Sequence, residues 1–429
     1  MKNKIIIYGF LLSLFILPKL YSQYDNQAIE FYNEGLGYLQ DGENEKAIEF
    51  FDKSINVDST FAEAFNARGS ALFNLKRYQE ALDDFTLAIE LKRSFSGAYH
   101  NRASTYRELK VADKAQSDLA KAIEIEPGNH NLYYSRANFY AEMGKFDLAL
   151  NDLDKVISIQ TDDYKAYYTR ATVFYETNEL EKALIDLNKT IELNSQFVEA
   201  YQLRGPIFHK LGNLTSAISD YNRVLEREHE NNTMFNRAIA NSELEHHDLA
   251  IKDFSHLINI GFNPKLSYFN RAVIYYNLGQ YDRALEDYNA VLKIEPKDID
   301  ALGNVAIIYY ESKNYDDAIM IYNKLVDLSP NNSNFYQNRA NAFFNLNKYD
   351  KAISDYSLAI NLDKKNAELY FNRANAYKQI NDFENSIEDF RQFLDLARYD
   401  NKLVTFVPSV EIEIKNLELK IADKISNQK

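Results

Sequence analysis

Cysteine and tryptophan are both absent from the 429 residues. Without cysteine there is no disulfide, thiolate metal site, thiol nucleophile or cysteine-linked lipid, so any catalysis would fall to oxygen and nitrogen groups. Glycine and proline are scarce, at 13 and 7, which argues against a loop-rich, all-β or disordered chain and leaves long helices. The histidines are scattered, and the adjacent His246 and His247 would point in different directions on a helix. No histidine pair at metal-ligand spacing with a carboxylate, no glycine-rich phosphate loop and no nucleophile elbow occurs. Neither enzymatic activity nor a cofactor or metal is therefore expected. Cationic charge is also short, with 49 basic residues against 63 acidic ones and a net charge of −14. Such a surface repels nucleic acid and anionic lipid.

Long apolar runs are missing beyond the first residues. Lys2 and Lys4 precede Ile5 to Leu17, a run interrupted by Gly9 and Ser13 and ended by Pro18. It falls short of the ~20 residues that a spanning helix needs. With the small Ser22 behind, residues 1–22 have the three parts of a secretory signal peptide, cut between Ser22 and Gln23. Loss of Lys2, Lys4 and Lys19 with it takes the net charge to −17. The mature chain is then expected to be exported, periplasmic or secreted, with no membrane span; an uncleaved N-terminal anchor is the alternative.

What is present is one unit written eleven times. Small residues recur at Gly35, Gly69, Ala103, Ala137, Ala171, Gly205, Ala238, Ala272, Ala306, Ala340 and Ala374, every step 34 residues except one of 33. A second small residue follows each by twelve positions, from Ala47 to Ser386. Within one unit, Phe65, Ala71, Leu72 and Leu75 give one helical face, and Ala81, Leu82, Phe85, Ala88 and Ile89 another, so the unit reads as two helices joined by a short polar turn. After a short segment 23–27 the repeats run over 28–400, and 401–429 lies outside them. In that tail Val410, Ile414, Leu417, Ile421 and Ile425 predict a helix capping the last repeat, although Val410 to Ile414 could begin as a strand.

The period, the small residues and the aromatic positions (Tyr78, Tyr281, Tyr315, Tyr349) resemble the tetratricopeptide repeat family. Its usual Trp is replaced by Tyr99, Tyr133, Tyr167, Tyr201, Tyr268, Tyr336 and Tyr370, and its terminal Pro is matched by Pro127, Pro296 and Pro330. The resemblance implies an all-α, right-handed superhelical solenoid of antiparallel helix pairs, with the first helix of each pair lining a concave surface that holds extended or helical segments of partner proteins.

Nine units carry Arg before the small residue and Asp sixteen positions after that Arg, from Arg68 and Asp84 to Arg373 and Asp389. The two exceptions lose both residues, with Glu34 and Phe50 in one and Val305 and Ile321 in the other. This covariation predicts an ion pair between the two helices of one unit, partly buried, since Val and Ile replace it. Regularity breaks at Gly205-Pro206, Glu226 to Glu230 and Gly261 to Pro264, so a bend is expected over 205–264, read either as a hinge or as tolerated drift.

By the same resemblance, the residue two before each small residue points into the groove. It is Asn at Asn101, Asn236, Asn270, Asn304, Asn338 and Asn372, similar to the asparagine ladder in the repeat region of the glycosyltransferase that adds N-acetylglucosamine to proteins. An amide offers donor and acceptor together, which suits an extended main chain. The alternative is a bond to a neighbouring helix. His100, Tyr134, Asn138, Tyr168 and Thr172 form a second, chemically different part of the groove. A clamp for a partner's C-terminal carboxylate is not expected, because its places hold residues such as Asn131, Tyr134, Glu199, Leu266 and Phe269, with Lys165 the exception. The expected function is a non-enzymatic scaffold for a protein or peptide partner, with a glycan- or peptidoglycan-binding module as the alternative. No motif specifies the partner, the pathway or the oligomeric state.

Overall fold

The computed structural model describes residues 24–398 and 402–426, so the expected leader lies outside them. Twenty-two helices follow one another, ten consecutive pairs of them packed together, from Asn26–Gln40 with Asn44–Val57 to Ala367–Gln379 with Phe383–Ala397, and a last helix, Val407–Ser426, follows a short 3-10 turn. Among the described residues there is no strand. The architecture is the expected all-α array of helix pairs, and short connections set neighbouring helices antiparallel.

Each pair turns at a residue with positive φ, seven positions after the small residue. Glycine fills that place at Gly42, Gly144, Gly212 and Gly279, and Asn178, Asn347 and Asn381 accept the left-handed conformation in three more. Lys76, Lys110, Glu245 and Lys313 adopt it as well, each at φ near 60°, a local cost that the packing of the pair must offset. The small residues admit close approach: a Cβ on Gly69 would stand 2.7 Å from the Phe85 ring. Ala103, Ala137, Ala171, Ala238, Ala272, Ala340 and Ala374 are buried at the equivalent contact.

The chain divides into two compact units, one ending at Ile207 and the other beginning at Phe208. The division falls inside the helix Val198–Lys210, one residue after Pro206, through which that helix continues. In each unit, clusters of alanine and aromatic or aliphatic side chains join successive repeats. One cluster of the first unit gathers Ala103, Leu119, Ala137, Phe139 and Leu153, and one of the second gathers Ala272, Tyr288, Val291, Val305 and Ile308.

The Arg and Asp rows meet as the covariation required. Eight pairs form two-pronged ion pairs between the helices of one repeat; in repeat eight Arg271 Nε donates to Asp287 Oδ2 at 2.8 Å and Nη2 to Oδ1 at 2.7 Å. Asp287 is 4% exposed. In repeat nine the substitutes Val305 and Ile321 pack in the same apolar cluster. The arginines other than Arg136 also do something the covariation did not disclose: their third nitrogen, Nη1, reaches a polar side chain of the preceding repeat. Arg271 donates to Ser255 at 2.7 Å, Arg339 to Asn323 at 2.8 Å and Arg170 to Asp154 at 2.6 Å. The signal lay sixteen positions before most of the arginines, where a polar residue such as Asp154, Ser255 or Asn323 stands; Arg237 uses Asn222, fifteen before it, and Arg136 has Ala120 there.

The last helix caps repeat eleven. Val410, Ile414 and Leu417 are buried against Phe390, Phe393 and Leu394, with Ile421 partly buried beside them. A three-and-four spacing of apolar residues suits one helical face, which is why this segment is not a strand.

Candidate functional site

The first helix of each repeat carries the expected site residues, and the residue two before the small residue meets a different environment in each unit. In the first unit three of these residues, Asn101, Ser135 and Thr169, are tied to the preceding repeat, while Asn33, Ala67 and Leu203 stand at the same place in the others. Asn101 Nδ2 donates to Asn66 Oδ1 at 3.0 Å and lies 3.4 Å from Ser70 Oγ. Ser135 at the same place meets His100 Nε2 at 2.9 Å, and Thr169 meets the Tyr134 hydroxyl at 2.8 Å. Each rung links residues 35 apart, one more than the repeat, so it joins side chains one step along neighbouring first helices.

Burial perturbs the titratable groups of this region. Burial, followed by the nearby Arg107, holds the His100 imidazole below its ordinary value. Burial also pushes the Tyr134 phenol up, against the hydrogen bond from Thr169, and raises Tyr168 to about 12. Asn138 is a second hydrogen-bond neighbour of Tyr134, while the Thr172 hydroxyl turns to the Tyr168 carbonyl at 3.0 Å. The ring of Tyr168 stands edge-on to Phe197, with centroids 5.0 Å apart. This region is thus a set of polar side chains that largely satisfy one another.

In the second unit three partner positions are apolar or empty, with Phe235, Phe269 and Gly303 where Asn66, His100 and Tyr134 stand in the first, while the Gln337 that precedes Asn372 makes no side-chain hydrogen bond among the described residues. Phenyl rings and a hydrogen atom cannot complete a rung. Asn270 and Asn304 instead donate to carbonyls of their own helix, Leu266 at 2.8 Å and Asp300 at 2.9 Å, which leaves Oδ1 unused. Asn236, Asn338 and Asn372 are half-buried, and their side chains make no hydrogen bond among the described residues. An amide of this kind retains two donors and an acceptor for a ligand.

The residues that share a face with these asparagines, four before and three and seven after, continue the pattern. In repeat ten all are Asn: Asn334, Asn341 and Asn345 around Asn338. In repeat eight Leu266 is 48% exposed, and in repeat nine Ile307 is 37% exposed. Across the five helices this face holds no Lys or Arg. Its carboxylates differ in occupation. Glu311 accepts from Tyr276 at 2.8 Å and Tyr281 at 2.9 Å, whereas Asp300 and Glu368 have no side-chain partner among the described residues. Burial and the adjacent Glu311 together push Tyr276 up to about 12.

The arrangement can hold a ligand by many weak, neutral hydrogen bonds and offers no cation to fix a carboxylate or phosphate. Among the described residues no group of three or more His, Asp or Glu is placed to bind a metal ion. No described helix is long and apolar enough to cross a membrane.

Comparison with known proteins gives one consistent answer on family. Tetratricopeptide repeat models match residues 62–95, 96–129, 119–151, 198–231, 266–298, 299–332, 321–354 and 367–400, and a TPR repeat model matches 340–381. No curated protein matches. Among solved structures, YrrB, described as a TPR protein with an unusual peptide-binding site, is 23% identical with a TM-score of 0.35, over 43% of this chain and 95% of its own. A tetratricopeptide repeat protein from Parabacteroides merdae is 19% identical with a TM-score of 0.42, over 57% and 96%. Yeast Tom70 is 16% identical with a TM-score of 0.37, over 92% and 99%. Assignment to a family rests on the repeat models and not on these superpositions.

Proposed function

Because the chain belongs to the tetratricopeptide repeat family, we propose that it is a non-enzymatic scaffold that holds an extended segment of a partner protein along the first helices of its second unit. The observation that carries this is the row of half-buried amides at Asn236, Asn338 and Asn372, which nothing in the fold uses, flanked by Asn270 and Asn304 with free acceptors. Water can satisfy half-buried amides and a ligand can take its place, so their recurrence at one repeat position supports an external partner.

The test combines a variant with crosslinking. Replacing all five asparagines by Ala should leave the melting temperature nearly unchanged and abolish protein adducts formed by crosslinking in the native cell. Undiminished crosslinking in a folded variant contradicts the site and moves attention to Tyr134 and Tyr168. Co-purifying saccharide in place of a protein adduct supports the glycan-binding alternative, since amides and aromatic side chains also suit sugar hydroxyls.

The run Ile5 to Leu17 behind Lys2 and Lys4 supports export. Intact mass of the exported protein should correspond to a chain starting at Gln23; a full-length, membrane-retained species would instead mark an N-terminal anchor.

A further inference from the structure

We propose that the asparagine face of the second unit takes a left-handed polyproline-II segment of neutral or basic sequence, one three-residue turn to each repeat. This rests on the peptide-binding reading above and adds a conformation, a register and a charge.

The register follows from spacing. Packed helices stand about 10 Å apart, and the first helices of neighbouring repeats do touch on this face, as Tyr276 to Glu311 at 2.8 Å and Asn345 to Tyr310 at 3.0 Å show. A ligand that meets each asparagine in the same way must therefore repeat at that distance. A polyproline-II helix rises ~3.1 Å per residue with three residues per turn, so it presents the same side every ~9 Å. A β-strand advances about the same distance in three residues, but its side chains alternate and every second repeat would meet the wrong face. An α-helix presents the same side about every two turns, ~10.8 Å, but its N–H and C=O groups are bonded within the helix and cannot meet the amides. Polyproline II also leaves its own N–H and C=O groups unbonded and available.

Hydrogen-bond roles set where proline is excluded. Asn270 and Asn304 have spent one Nδ2 hydrogen on their own helix and keep the other beside Oδ1. A ligand residue that meets both groups of such an amide must retain its N–H and cannot be proline. The two residues between rungs carry no such requirement, and Leu266 and Ile307, both exposed and apolar, stand one helical turn from the rungs of repeats eight and nine. Charge comes from Asp300 and Glu368, each one helical turn before a ladder asparagine and each without a side-chain partner. They are two repeats apart, which corresponds to six ligand residues, so cations at that interval are favoured.

Fluorescence anisotropy with the full mature chain and synthetic peptides tests this. The probe is Lys-Pro-Pro-Ala-Pro-Pro written twice and closed with Lys-Pro-Pro. It should bind at least roughly tenfold tighter than a version with Glu for Lys, and tighter by a similar factor than one with Thr for every Pro. Replacing the five asparagines by Ala should abolish binding. Asp300→Asn with Glu368→Gln, which touches no packed residue, should weaken it severalfold and flatten its dependence on salt. Equal or tighter asparagine-dependent binding of the Thr peptide overturns the polyproline conformation while the ladder reading stands. Binding that ignores the asparagines overturns both. Absence of binding by every peptide, beside asparagine-dependent crosslinks in the cell, overturns this inference alone.

Discussion

The two units use one repeat position for opposite ends. In the first, Asn101, Ser135 and Thr169 close hydrogen bonds to Asn66, His100 and Tyr134 of the preceding repeat. In the second, Asn270 and Asn304 turn to their own helix and Asn338 stays open where the preceding repeat offers Phe235, Phe269 and Gly303; Asn236 and Asn372 stay open as well, the latter beside Gln337. The residue at the position does not decide its role, since Asn occurs in both units. At Asn270, Asn304 and Asn338 the neighbour 35 residues earlier accounts for the difference. A repeat array can thus trade cohesion between repeats for binding capacity by changing one residue per repeat, with the buried helix contacts untouched.

The largest effect should come from the contact that both units share. Removing one partner of a buried ion pair strands the other, at a cost of ~3–5 kcal/mol. Arg271→Ala should therefore destabilise by about 3 kcal/mol, whereas Arg271→Val with Asp287→Ile should cost much less, since repeat nine carries Val305 and Ile321 there. Urea unfolding of the singles and the double decides it; additive costs would show that the two side chains act independently. The same experiment on Arg136 and Asp152 of the first unit should give the same non-additivity, so the ion pairs are common ground against which the rungs differ.

Next in size are the rungs. Tyr134→Phe breaks the bond to Thr169 and should cost about 1 kcal/mol. Asn338→Ala, in the second unit, breaks nothing and should be nearly silent in stability. Equal costs for the two would erase the contrast between the units.

The smallest effect is on pH. His100 is held below its ordinary 6.5 by burial and Arg107. Below about pH 6.5 the unfolded chain therefore binds a proton there that the folded chain resists. That contribution to stability is whole above this value and is lost as the pH falls. His100→Gln should flatten the decline in urea midpoint between about pH 7.5 and about pH 5.5. An unchanged slope would mean that the ring is free to protonate in the fold.

How much of this was legible in the sequence varies with the distance over which the information acts. The helix pairs and the Arg and Asp contact were readable, because each depends on a fixed interval inside one repeat and the exceptions, Glu34 with Phe50 and Val305 with Ile321, changed together. The reach of Arg Nη1 into the preceding repeat was missed, because one partner for the guanidinium already accounted for the covariation while Arg can serve two. The asparagines were readable as a row but not as two classes. Their fate depends on the residue 35 positions earlier, which the 34-residue alignment places in the adjoining column. Val410 to Ile414 was ambiguous in isolation and became helical because Leu417 and Ile421 extend the same face over Phe390 and Phe393.

The most direct test of that division is side-chain amide hydrogen exchange in the asparagine-labelled chain, followed by NMR without any ligand. The Nδ2 protons of Asn101 should be protected by the bond to Asn66, while those of Asn236, Asn338 and Asn372 should exchange close to the rate of a free amide. Equal protection of all four would contradict the claim that the second unit holds its asparagines open for a partner.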